Sequence, residues 1–156
     1  MQPQQKKTLT LLLVLGVVFF TVFIPANLSG AQDAGMLALF EVDEYAQFPH
    51  VIRMLTPGDG FYQSLRNFLI YLHYFYGYPF YFFSALALLP VKLLLGADWT
   101  AQVPLIMAIL RQLINVLPML AGLGLLVYIQ TKFKSAWRSA GLFALLVITP
   151  AVTLNN

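Results

Sequence analysis

The chain has 156 residues, 60% of them hydrophobic and 10% charged, with nine Lys/Arg against six Asp/Glu for a net charge of +3. Soluble domains are roughly 45–50% apolar and about 25% charged. The composition therefore excludes a disordered chain and leaves too few charges to give a soluble domain its polar skin. An integral membrane protein remains, and at about 20 apolar residues per crossing, at most four or five crossings fit. No cysteine is present, which excludes disulfides, zinc–thiolate sites and iron–sulfur clusters. The cations are too few and too scattered for a nucleic-acid footprint.

Lys6 and Lys7 precede an uncharged run, Leu9 to Ala26. At 1.5 Å per residue that run reaches about 27 Å, enough for one crossing. A basic start, an apolar run and small residues near Gly30 and Ala31 also fit a cleaved signal peptide, but the run is longer than a usual signal core. It reads as a retained transmembrane helix over 8–26.

Residues 27–67 form the only long polar stretch and hold five of the six acids: Asp33, Glu41, Asp43, Glu44 and Asp59. Phe48, Val51, Ile52 and Leu55 repeat at helical spacing, with Gln47, His50 and Arg53 on the other side. Pro49 suits a first turn, and Pro57-Gly58-Asp59-Gly60 supplies turn chemistry. The pattern predicts an amphipathic helix over 44–56, lying in the interface plane.

Residues 68–95 are apolar, with a ring cluster from Tyr71 to Phe83 of the kind that marks a membrane–water interface. Pro79 and Pro90 predict a kink or a late helix start there. Gly96-Ala97-Asp98 reads as a turn. A further crossing is expected over 103–130, carrying Arg111, Gln112, Asn115 and Pro118. After the basic loop of Lys132, Lys134 and Arg138 comes a marginal crossing over 137–154. The expected fold is all-α: a single multi-pass membrane domain over 1–156, with three to four transmembrane helices and an interfacial helix in the first outside loop.

Lys6 and Lys7 place the N-terminus in the cytoplasm of a cell inner (plasma) membrane. Strict alternation over four crossings then puts Lys132, Lys134 and Arg138 outside, against the positive-inside rule.

Four features in order carry a family resemblance. They are the first crossing, Val42-Asp43-Glu44-Tyr45-Ala46, Arg53-Met54-Leu55-Thr56-Pro57-Gly58-Asp59, and His73-Tyr74-Phe75-Tyr76-Gly77-Tyr78-Pro79. The chain resembles the N-terminal part of glycosyltransferase family 39, which has the C-type membrane glycosyltransferase fold. Family members have an Asp-Glu pair in the first outside loop, an Arg-Glu-Met-Leu…Gly-Asp stretch, and an aromatic pair leading into Glu-Lys-Pro-Pro. The resemblance implies sugar transfer from a polyprenyl-phosphate donor, with Asp43 as the candidate base and Glu44 its neighbour. Two departures stand against that activity. Tyr76-Gly77-Tyr78 replaces the Glu-Lys before proline, so the lysine that holds the lipid phosphate is missing. The chain also stops after the fourth apolar segment, where family members continue through many more crossings. The expectation is a truncated, non-catalytic, family-39-like chain acting as an accessory subunit. The alternative is an active module working with a second chain. The chain also resembles short family-39-like chains that accompany photosynthetic core complexes of filamentous green bacteria. That resemblance implies other membrane subunits as partners, with lipids or neighbouring pigments as ligands.

Other residues keep two readings each. Asp43 and Glu44 also suit the first turn of a helix, whose positive pole attracts acids. Arg111 inside a crossing costs about 2.5–3.5 kcal/mol on insertion scales. It is either a substrate-phosphate contact or a hydrogen-bonding link between helices or subunits. His50 and His73 are either interfacial histidines or ligands, with His73 placed to meet a pigment. No metal site is expected. Asn27-Leu28-Ser29 matches a glycosylation acceptor.

Overall fold

The computed structural model describes residues 2–69 and 76–153. Among the described residues every regular element is helical. The α-helices are α1 Pro3–Leu28, α2 Ala34–Phe40, α3 Val42–Leu55, α4 Phe61–Leu69, α5 Gly77–Leu95, α6 Val103–Leu110, α7 Leu117–Thr131 and α8 Ala136–Thr153. A 3-10 segment, Gly96–Ala101, follows α5, and a π-helical segment, Arg111–Val116, joins α6 to α7. Three stretches are long and apolar enough to cross a membrane: Pro3–Leu28, Gly77–Ala101 and Val103–Thr131. Ala136–Thr149 is a shorter apolar helix.

Some boundaries differ from the sequence expectation. The segment expected over 68–95 is not one helix. Its first residues end α4 at Leu69, and α5 starts only at Gly77, whose φ of 72° favours glycine, with Pro79 in the first turn. Tyr71, His73, Tyr74 and Phe75 lie outside the described residues. The polar stretch 27–67 holds α2 and α4 as well as α3. Asp33 starts α2 as its N-cap, its Oδ1 accepting from the Met36 amide at 2.8 Å.

Within the stretch read as one membrane domain, packing gathers into two compact units, Met1–Ile24 with Asn115–Asn156, and Pro25–Ile114.

In the first unit, Leu12 of α1, Leu120 and Val127 of α7, and Phe143 and Val147 of α8 are buried together with Phe133. Lys132 and Phe133 in the α7–α8 turn both have left-handed backbone, φ 49° and 56°. Such residues persist only where surroundings fix them. Here Phe133 buries its ring, and its amide donates to Thr131 Oγ1 at 3.1 Å. The fully buried Thr8 donates from Oγ1 to the Phe133 carbonyl at 3.3 Å, and Gln5 Nε2 donates to the Lys132 carbonyl at 3.4 Å. The start of α1 therefore lies beside the α7–α8 turn.

In the second unit, Val51, Met54 and Leu55 of α3 are buried with Tyr81, Ala85 and Leu88 of α5, Trp99, and Ile106 and Met107 of α6. The expected apolar face of α3 is present, with Phe48 and Ile52 partly buried against the same core. It is turned toward protein. Lys92 Nζ on α5 donates to the Leu55 carbonyl and so satisfies the C-terminal end of α3. Helix α4 is inverted. Asn67 is buried, and its Nδ2 donates to the Thr56 carbonyl at 3.1 Å. Phe61 and Tyr62 are 84% and 78% exposed, and Leu65 and Leu69 lie open beside them. Gly58 makes the turn into α4 possible: its amide donates to Ser64 Oγ at 3.0 Å, and a Cβ there would run into the Gln63 side chain.

Candidate functional site

The polar centre of the second unit is built on Arg111. A regular α-helix through this point would press the Pro118 ring against the Ile114 carbonyl four residues back. The wide turn Arg111–Val116 ends two residues before that proline. Wide turns of this type often sit at functional positions. Arg111 is 5% exposed although it lies in a stretch apolar enough to cross a membrane.

Its guanidinium is nearly saturated. Nε donates to both Glu44 oxygens at 2.9 Å, and Nη2 donates to Glu44 Oε2 at 2.6 Å. Nη1 donates to the carbonyls of Asn27 at 2.6 Å and Ser29 at 2.9 Å. Glu41 Oε1 stands 3.9 Å from Nη2. Each partner has a local reason to be there. Asn27 lies in the last turn of α1, where unpaired carbonyls and the negative pole of the helix attract a cation. Glu44 lies in the first turn of α3, where the positive pole suits an acid. The planar fork of arginine meets the carboxylate side-on, which a lysine could not do.

Of the candidate site residues, the structure joins Arg111 to Glu44 and leaves Asp43 apart. Asp43 is exposed in the first turn of α3 and makes no hydrogen bond or ion pair among the described residues. Gln112 is buried next to Arg111 with neither carboxamide atom partnered among the described residues, whereas Asn115 is exposed. The Asn27 Nδ2 is buried too, which closes the acceptor motif Asn27-Leu28-Ser29 to modification in the folded chain. His50 packs edge-on to Tyr81 at 6.3 Å between ring centroids. No group of three or more metal-ligating side chains occurs among the described residues. His73 lies outside them.

No family model, no curated protein and no solved structure matches the chain.

Two site features had weak sequence signals. The Arg111–Glu44 pair joins residues 67 apart, and only the expense of a lone intramembrane arginine pointed to a partner. The role of Lys92 at the end of α3 had no sequence signal. A cavity of about 320 Å³ lies next to it, walled by Leu55, Thr56, Ser64, Phe68 and Phe82.

Proposed function

We propose that this chain is a non-catalytic membrane subunit, related to family 39 by descent of its outside loop and built to hold shape rather than to transfer sugar. The saturation of Arg111 supports this reading. A phosphate-binding arginine keeps donors for its ligand, whereas this one directs both faces of its fork to Glu44 and to two carbonyls. Glu44 is neutralised by the same pair, so the Asp-Glu motif retains one free acid. The proposed partners are other membrane subunits, and the photosynthetic core complexes suggested by resemblance are one host.

The proposed topology rests on one contact within the first unit: the turn after α7 meets the start of α1. We take α1 and the stretch Val103–Thr131 as two crossings whose ends meet there. Lys6, Lys7, Lys132, Lys134 and Arg138 then share the cytoplasmic side, as the positive-inside rule prefers. The interfacial helix of this arrangement is α4, whose apolar face is turned outward, rather than α3.

One observation favours a second reading. Asp43 is exposed and unpaired among the described residues, as an acceptor-activating base would have to be. Sugar transfer from polyprenyl-phosphate donors, measured on the wild type and on Asp43→Asn, decides between the two. No transfer by the wild type, together with stoichiometric co-purification of membrane partners in mild detergent, supports the subunit. Transfer that Asp43→Asn abolishes overturns it.

A further inference from the structure

The first unit carries five cations, Lys6, Lys7, Lys132, Lys134 and Arg138, and all six acids of the chain lie elsewhere. Between α1 and α7 it also carries an apolar groove of about 570 Å³. That volume falls within the roughly 300–1,000 Å³ typical of ligand sites. Leu12, Gly16 and Phe20 form one wall and Leu120, Gly124 and Tyr128 the other. The groove exists because the residues that would fill it are glycines: a Cβ built on Gly16 or Gly124 meets nothing within 4 Å.

One end of the groove is chemically distinct. Tyr128 and Phe133 close it, their rings 5.0 Å apart, and Lys132 Nζ lies 5.4 Å from the Tyr128 ring centre. Gln5 and Thr8 bond to the carbonyls of Lys132 and Phe133, so Lys6 and Lys7 lie at the same end. Trp137, 87% exposed beside Arg138, is the amphipathic ring found at head-group level. An apolar trough that opens under a ring of cations free of acids matches a molecule with an apolar chain and an anionic head.

We propose that this groove binds one anionic phospholipid of the surrounding leaflet, an acyl chain lying between α1 and α7 and the phosphate among Lys132, Lys134 and Arg138. Basic pockets between membrane helices bind anionic head groups in this way. The groove takes the place of a helix–helix contact, so the lipid joins two helices that glycine leaves apart. The inference needs the membrane setting. It holds whether or not the chain is a subunit or an enzyme.

The test is native mass spectrometry of the full chain in mild detergent, titrated with phosphatidylglycerol or phosphatidylcholine of identical acyl chains. Phosphatidylglycerol is expected to be retained at least fivefold better, since each nearby cation contributes about fivefold. A Lys132→Gln/Lys134→Gln/Arg138→Gln variant, altered only at exposed positions, is expected to lose that preference. Gly124→Leu fills the groove and is expected to lower retention of both lipids with the helix content unchanged. Equal retention of the two lipids by the wild type overturns the proposal. So does full retention by Gly124→Leu, a second copy of the chain occupying the groove, or displacement of the phospholipid by equimolar polyprenyl phosphate.

Discussion

Arg111 grips both oxygens of Glu44 across 67 residues of sequence and holds the carbonyl end of α1 with its other nitrogen. Removing one member of a buried pair leaves the other unpaired in a medium that solvates it poorly, a cost of about 3–5 kcal/mol. Glu44 is 26% exposed, so Glu44→Gln is expected near the lower end of that range and Arg111→Gln near the upper. Thermal unfolding in mild detergent measures both. The double variant is expected to fall short of the summed losses, because the two changes remove one interaction.

Thr8 and Phe133 hold the start of α1 beside the α7–α8 turn. The chain has no cysteine, so single cysteines can be introduced without background. Gln5→Cys and Lys134→Cys are expected to react with a membrane-impermeant maleimide from the same side. Labelling of Gln5→Cys and Lys134→Cys from opposite faces would break the arrangement.

Thr8→Ala removes the hydroxyl and leaves the Phe133 carbonyl with a lost donor in a left-handed turn. One hydrogen bond of this kind contributes about 0.5–1.5 kcal/mol. The expected result is a small drop in unfolding temperature, smaller than that of Arg111→Gln.

Helix α4 turns its apolar face outward. A spin label at Phe61→Cys is therefore expected to sit among lipid head groups and acyl boundaries, with strong contact to oxygen. One at Ser64→Cys is expected to be shielded by protein. Equal accessibility at the two positions would leave α4 without an interfacial role.

Gly58 packs its backbone against Gln63 where no side chain fits. Gly58→Ala is expected to loosen α4 and to lower stability by about 1–3 kcal/mol, as overpacking does.

Helical character and the apolar stretches were legible because composition and period reach the eye directly. Val51 and Leu55 were placed on the buried face of α3 for the same reason. The direction of that face was not legible, since an apolar stripe fits lipid and protein equally well. The inversion of α4 shows the same ambiguity from the other side: its Gln63, Ser64 and Asn67 look solvent-facing until Thr56 and Gly58 provide partners. Asp43 and Glu44 were found as a pair, but their different surroundings depend on Arg111, far along the chain. The α1–α7 groove was illegible because glycine marks it only by what is missing.

The span between Glu44 and Arg111 also sets an order of events during synthesis. Chains emerge at about 5–20 residues per second, so the acid precedes its arginine by several seconds, and Lys92 follows Leu55 after a shorter wait. The C-terminal end of α3 can therefore close on Lys92 first, while its N-terminal end still waits for Arg111. The Glu44 end of the second unit therefore closes last, once Arg111 at the start of the π-helical segment has emerged.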